Sequence, residues 1–272
     1  MKTSDLLKKY NIKLKKSLGQ HFLSDDRIAK KIVKVSKISP GDIVVEIGVG
    51  AGTLTEELAK TGAFVIGYEI DERFRPLLED RFSNYKNVKL IFTDFLKIDL
   101  ETLPDNIKFV SNIPYNITGP ILEKIFKTKF IYAVIMVQKE VADRILAKPG
   151  TRNFGYISAF SKVICDVEKL FDVSKSHFIP NPRVDSTVVL LRRNEKKKNL
   201  NPEAFSIFLG KLFSRRRKTV KNNLKYLFEE PELILKKLGI DPMKRPENLS
   251  LEEIINLFEE WCLWKKSSLK KY

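Results

Sequence analysis

Cysteine and histidine are almost missing from this 272-residue chain, which has two of each. Cys165 and Cys262 stand far apart with no Cys/His cluster near either. That argues against a disulfide framework and a zinc site, and leaves two buried free thiols as the expectation. Long apolar runs are missing too. None reaches the roughly 18 residues that spanning a bilayer requires, and the lysine-rich amino terminus has no apolar segment behind it that could act as a signal peptide. A cytoplasmic protein without membrane contact or resident metal is expected. Acidic charge is the last scarcity: 34 Asp and Glu stand against 50 Lys and Arg, a formal net charge of +16.

Such an excess makes a polyanion the natural partner, because an enzyme of small anionic metabolites rarely needs so much positive potential. The charge is also placed. Residues 1–37 hold eleven Lys and Arg against Asp5, Asp25 and Asp26, which is half of the net charge in the first seventh of the chain. Lys15 and Lys16, at the end of the amphipathic basic segment Ser4 to Lys16, are assigned to that polyanion. The length suits one main domain with a smaller appendage, and there is no internal repeat.

Ser24 or Asp25 can cap a helix in which Ile28, Ile32, Val33 and Val35 recur near helical spacing. Ile43 to Gly48 reads as a buried parallel strand that runs straight into Gly48-Val49-Gly50-Ala51-Gly52 and a helix to about Lys60. Glycines at every second position permit a sharp turn and close ligand approach, and the helix start offers N–H groups that can host a carboxylate. Strand, glycine turn and helix in that order open a nucleotide-binding α/β unit. The spacing differs from G-x-G-x-x-G, which disfavours a dinucleotide. Strand Phe64 to Glu69 then ends in an acid about 20 residues after the turn, where a carboxylate accepts both hydroxyls of a ribose. Helix Arg73 to Phe82 and strand Val88 to Phe92 follow, and Asp94 beyond them is placed to accept from an adenine amino group.

The fourth strand, Phe109 to Ser111, ends in Asn112-Ile113-Pro114-Tyr115, which supplies an amide, a proline-flanked carbonyl and a flat ring. A strand stopped by a proline turn has the same composition. Open α/β sheets, however, bind ligands beyond the carboxyl ends of their strands, which gathers Gly48, Gly50, Glu69, Asp94 and Asn112 to Tyr115 about one crevice. S-adenosylmethionine suits that crevice better than NAD. The Asn112 amide oxygen and the Pro114 carbonyl would accept from the amino group of a base and turn its delocalised lone pair toward a methyl group, while Tyr115 stacks on the ring. Helix Ile121 to Phe126 and strand Tyr132 to Val137 continue the alternation. From Ser158 the pattern turns strand-like, with Lys162 to Phe171 and Ser186 to Leu191 as an expected antiparallel pair at the sheet edge. Phe178, just before Pro180 and Pro182, could present a ring to the crevice.

The fold class is therefore α/β, with a mostly parallel sheet and an antiparallel edge, followed by a small all-helical domain. The expected divisions are a basic arm and helix over 1–36, the nucleotide-binding domain over 37–193, a polar linker over 194–200 and helices over 201–272. Those helices are Pro202 to Phe213, Arg217 to Leu227, Pro231 to Leu238 and Leu251 to Trp261, the last opened by a Ser250/Glu253 capping box. Arg215, Arg216, Arg217, Lys218 and Lys221, flanked by Asn222 and Asn223, suit phosphate contacts.

The segments SLGQHFL (Ser17–Leu23), EIGVGAGTLT (Glu46–Thr55), YEID (Tyr68–Asp71), Asp94-Phe95-Leu96, NIPYN (Asn112–Asn116), QKEVADR (Gln138–Arg144), FIPNPRVDS (Phe178–Ser186) and FSRRRKTVKNNL (Phe213–Leu224) together carry a family likeness. Over nearly its whole length the sequence resembles the ribosomal RNA adenine dimethyltransferases. FIPNPRVDS and the RRKT and NN elements resemble the small-subunit (16S) branch rather than the large-subunit macrolide-resistance branch. The resemblance implies a class I S-adenosylmethionine-dependent methyltransferase with a Rossmann-like fold and a helical RNA-binding domain. It implies dimethylation of N6 on two adjacent adenines in the 3′-terminal hairpin of 16S rRNA, within the small ribosomal subunit or its precursor. It also places cofactor contacts on His21, Leu23, Gly48, Glu69, Asp94 and Asn112, with Gly50 in the same turn, and a base sandwich on Tyr115 and Phe178. His21 stands where many relatives have Asn, and Thr118-Gly119 where Ser-Thr is frequent. A monomer acting in ribosome biogenesis is expected. The rival readings are a large-subunit (23S) methylase and a non-catalytic RNA-binding assembly factor on the same fold.

Overall fold

The computed structural model of the chain describes residues 3–13, 19–194 and 200–269. The described residues up to Ala142, with Glu168–Arg193, form one compact unit; Asp143–Val167 and those from Asn194 onward form a second.

In chain order the first unit holds α1 (Thr3–Lys9), β1 (Phe22–Leu23), α2 (Asp26–Ser36), β2 (Ile43–Ile47), α3 (Thr53–Ala59), β3 (Phe64–Glu69), α4 (Arg75–Phe82), β4 (Val88–Phe92), β5 (Ile107–Asn112), α5 (Thr118–Phe126) and β6 (Phe130–Gln138). Helix α6 (Lys139–Leu146) crosses the division, α7 (Tyr156–Ile164) lies in the second unit, and β7 (Cys165–Val173), β8 (Phe178–Ile179) and β9 (Ser186–Arg193) complete the strands. Seven strands form one sheet in the order β4-β3-β2-β5-β6-β9-β7, with β4 to β6 mutually parallel and β9 antiparallel on β6. The β-branched runs that mark these strands are buried: Val44, Val45, Phe109, Val110 and Ile135 have no exposed surface. A separate antiparallel pair joins β1 to β8, with Leu23 opposite Phe178.

Helix α2 begins where Asp25 accepts from the Arg27 N–H, and it buries Ala29 and Ile32 against the face that also receives Leu54 and Leu58 of α3. The amphipathic character of the amino-terminal segment is used by α1, whose Leu6 and Leu7 pack with Phe74, Leu77, Leu78 and Phe82. Burial of each leucine contributes on the order of 1.5–3 kcal/mol. Lys9 and Tyr10 both reach Asp80 on α4.

The second unit is helical: α7, α8 (Pro202–Leu212), α9 (Val220–Leu224), α10 (Pro231–Lys237) and α11 (Leu251–Leu269). Asn201 caps α8 by accepting from the Glu203 and Ala204 N–H groups. The Ser250/Glu253 box closes reciprocally: Ser250 N donates to Glu253 Oε2 (2.8 Å) and Glu253 N to Ser250 Oγ (3.1 Å). An aromatic core of Phe160, Phe205, Phe208, Phe258 and Trp261 holds the helices together.

Two expectations need correction. The strand expected from Lys162 starts at Cys165, because Tyr156, Ala159, Phe160, Val163 and Ile164 form a helical stripe that outweighs the β-branched composition. Residues 143–167, expected to belong with the rest of 37–193, group instead with the helical unit, where α7 packs Phe160 on Phe205 (5.7 Å between centroids) and bonds Tyr156 Oη to Ser206 Oγ (3.0 Å). Cys165 is buried, as expected, but Cys262 is only half-buried. Among the described residues no helix is long and apolar enough to cross a membrane.

Candidate active site

From β2 the chain builds outward through β3 and β4, then returns to lay β5 and β6 on the other side of β2. The switch point therefore lies between β2 and β5, and ligands of such sheets bind outside the carboxyl ends of the strands there. A crevice of about 710 Å3, open mouth included, occupies this place. Its wall brings together His21, Gly48, Gly50, Glu69, Asp94, Asn112, Pro114 and Tyr115. Ile70, Phe95 and Ile117 add apolar surface that the sequence reading passed over. The available signal was Ile70 itself, an apolar residue set between two acids just past a strand end; it is 49% exposed.

Gly48 (φ +81°) and Gly50 (φ +58°) hold left-handed backbone that side chains rarely adopt. A Cβ on Gly48 would stand 3.2 Å from Pro114 Cγ, and one on Gly50 2.6 Å from Phe22 Cδ1. The turn is thus wedged between two other segments of the crevice. Four of its N–H groups are taken up within the protein, which leaves fewer for a ligand carboxylate than the sequence suggests. Gly48 and Val49 donate to Tyr68 O, Gly52 to Val49 O, and Gly50 to Glu69 Oε2 (2.8 Å). The turn's polar groups hold β3 and its terminal acid instead.

Glu69 is 6% exposed and also accepts from the Asp71 N–H through Oε1 (2.9 Å). Burial pushes its pKa above the ordinary glutamate value, against the two N–H donors. Asp94 is half-buried; its Oδ1 accepts from the Leu96 N–H (2.9 Å) and caps the short 3-10 turn that follows. Deeper in the sheet, Glu46 is fully buried and accepts from Thr55 Oγ1 (2.6 Å). Burial raises its pKa to about 8.

Asn112 ends β5. Its Nδ2 donates to the backbone carbonyl of His21 (3.3 Å), which fixes the amide so that Oδ1 is the remaining polar atom. That oxygen is buried without a hydrogen-bond partner. Leaving a buried acceptor unpaired costs about 1–3 kcal/mol, which a ligand donor would offset. The Pro114 carbonyl, expected to be the second acceptor, is already taken by Ile117 N (3.3 Å) and Thr118 Oγ1 (3.1 Å). Thr118 Oγ1 also reaches Tyr115 O, so the hydroxyl knits the turn together.

Tyr115 is held from three sides. Its hydroxyl bonds Ser186 Oγ (2.5 Å), its ring stacks on His21 (5.4 Å between centroids, 25° between planes), and Phe178 meets it edge-on at 6.4 Å. Burial pushes the phenol pKa up to about 12. Phe178 is 0% exposed, and Leu23 opposite it is also buried, so neither side chain lies on the crevice wall. The β1–β8 pairing turns both into the core, and Phe178 supports Tyr115 rather than facing a base. The ring lying over Tyr115 is the imidazole of His21, whose Nδ1 is 2.7 Å from Pro180 O.

In the helical unit the basic cluster divides by role. Arg216 donates to the carbonyls of Arg152 and Phe154, and Lys221 pairs with Glu232 (2.8 Å). Asn223, expected beside phosphate, is fully buried: its Oδ1 accepts from Arg215 N and its Nδ2 donates to the carbonyls of Arg215 and Thr219. It shapes the loop from within, while Arg215, Arg217 and Lys218 are exposed on it. Lys15 and Lys16 lie outside the described residues.

A parallel sheet with this strand order, an antiparallel edge and this crevice defines a Rossmann-like methyltransferase. Residues 11–262 match the model of the ribosomal RNA adenine dimethylase family, and the chain belongs to that family of S-adenosylmethionine-dependent methyltransferases. It is 56% identical over 261 residues to ribosomal RNA small subunit methyltransferase A of Thermotoga maritima, covering 96% of this chain and 90% of that protein. To the same-named protein of a Geobacillus species it is 39% identical over 274 residues, covering 94% of each. A dimethyladenosine transferase from Plasmodium falciparum superposes with a TM-score of 0.76 at 31% identity, covering 89% of this chain and 97% of that one. The 23S rRNA methyltransferase ErmE gives a TM-score of 0.65 at 26% identity over 88% and 99% of the two chains.

Proposed function

We propose that this chain dimethylates N6 of two adjacent adenines in the 3′-terminal hairpin of 16S rRNA, acting as a cytoplasmic monomer during assembly of the small ribosomal subunit. The observation that carries the chemistry is Asn112 Oδ1, a buried acceptor without a donor at the switch point of the sheet. The small-subunit target is supported by relatives that bear that name.

The residues present fit S-adenosylmethionine. Glu69 keeps one lone pair on each oxygen after accepting from Gly50 and Asp71, enough for the two hydroxyls of a ribose. Asp94 keeps Oδ2 for an amino group, and Ile70 and Phe95 offer apolar faces to a flat ring. His21 would contribute through its backbone and Gly48 and Gly50 through their close approach. When bound, the cofactor supplies an electrophilic methyl group. The methionine carboxylate must find donors other than Gly48 and Gly50.

On the substrate side, Asn112 Oδ1 accepts from the adenine amino group and draws its lone pair out of conjugation. The second acceptor falls to the Ile113 carbonyl, since that of Pro114 is committed and Ile113 lies on the wall. Tyr115 stacks on the base, which requires the imidazole of His21 to give way if the base takes the same face. Orientation supplies most of the rate, and the neutral phenol takes no proton. The target must leave its stack to enter.

The reading is tested by offering labelled S-adenosylmethionine with unmethylated small-subunit particles or with naked 23S rRNA. Preferential labelling of the particles is expected. Preference for 23S rRNA would favour the large-subunit alternative, and no cofactor binding at millimolar concentration would favour a non-catalytic assembly factor.

A further inference from the structure

The helical unit carries a groove that the reaction does not use. It is formed by α8, the turn after α9 and residues 261–265 of α11, and encloses about 700 Å3 of open space. Tyr226, Phe228 and Trp264 supply its rings, and Lys211, Lys225 and Lys265 its charge, against Glu229 as the acid among its lining residues. Tyr226 is 46% exposed, unusual for so large a ring. The guanidinium of Arg215, first of the exposed loop arginines, lies 5.2 Å from the Tyr226 centroid. Basic loop and aromatic groove are therefore one continuous surface.

We infer that this groove is a stacking subsite for an unpaired nucleotide of RNA, with Tyr226 as its platform. One exposed ring, Tyr226, backed by the half-buried Trp264 and set among lysines, matches what single-stranded nucleic acid requires, since every base has a π-face and every linkage a negative charge. Arg215 on the ring extends the stack with a cation. Lysines at the rim and so few acids favour a polyanion over a protein surface. The inference rests on the RNA-modifying function proposed above, but the groove would read no sequence; it would add affinity for a splayed base.

The chain's two tryptophans, Trp261 and Trp264, both line this groove, and Trp264 lies on its wall alone while Trp261 also faces a neighbouring cleft beside α8, so intrinsic tryptophan fluorescence reports on this face of the helical unit. Hexauridylate is the probe, because it offers bases and phosphates without the adenine amino group that Asn112 would engage. Titration into the full-length protein is expected to quench the fluorescence saturably. Tyr226→Ala should weaken the apparent affinity about tenfold, the scale of one lost base stack, and Tyr226→Phe should keep it within about twofold. The salt slope should be the same in all three, as no charge is removed. Asn112→Ala should quench like the wild type, which separates failure of this subsite from failure of the methylation reading. Unchanged fluorescence with hexauridylate, or equal affinity in Tyr226→Ala, would overturn the inference and leave the groove to a protein partner.

Discussion

Asn112 Nδ2 donates to the main-chain carbonyl of His21, and through that bond a loop from the amino terminus sets the direction of the amide at the end of β5. The side chain of His21 plays no part in it. Asn112→Ala should therefore lower methyl transfer by at least about a hundredfold, the scale of a misplaced reacting group. His21→Ala should cost no more than about tenfold, since the carbonyl remains. Single-turnover rates on small-subunit particles check the pair, and equal losses in the two variants would deny the bond its role.

Glu69 offers a pH signature. Its carboxyl is raised above the ordinary glutamate value by burial, and only the ionised form accepts from both ribose hydroxyls. As pH falls, cofactor affinity should decline at a pH above the usual 4.5. Glu69→Gln should bind about 10- to 150-fold more weakly and lose that acid limb, as expected for hydrogen bonds to a charged group. Calorimetric titration with S-adenosylmethionine from pH 8 to 5 measures both.

Glu46 tests the same physics in folding. Its folded-state pKa of about 8 exceeds the unfolded value of 4.5, so the folded state holds the extra proton between them. Stability contributed by the neutral acid is thus full below 4.5 and lost as pH rises toward 8, at up to about 1.4 kcal/mol per pH unit. Urea midpoints across pH 5 to 9 should show this fall in the wild type and a flatter profile in Glu46→Gln.

For RNA affinity, Arg217 and Lys218 are exposed charges of the loop beside Arg215, whereas Arg216 is bonded to two carbonyls. Replacing Arg217 and Lys218 by Gln should flatten the dependence of log affinity on log salt by about 0.7–0.9 per residue. Arg216→Gln should act first on thermal stability. Filter binding over a salt series separates them.

Strands and crevice were legible in the sequence because β-branched runs, a glycine turn and acids at strand ends each have a local cause. Val44, Glu69 and Asn112 stand where that logic puts them. What the sequence hid is set by partners distant in the chain. Phe178 looked available until its pairing with Leu23 turned it inward. The carbonyl of Pro114 looked free until Thr118 claimed it. The glycine N–H groups looked open until Tyr68 and Glu69 took them. Asn223 looked like a phosphate ligand until burial made it the loop's internal brace. In α7, composition favoured a strand while periodicity carried the helix.

The central claim is that Asn112 Oδ1 aims an adenine amino group of small-subunit rRNA. It is tested most directly by digesting labelled small-subunit RNA to nucleosides after reaction with wild type and with Asn112→Ala, with RNA binding measured on both. The account predicts N6,N6-dimethyladenosine from the wild type and almost none from the variant, at closely similar RNA affinity. Dimethyladenosine formed at a comparable rate by Asn112→Ala, or its loss in step with RNA binding, would contradict it.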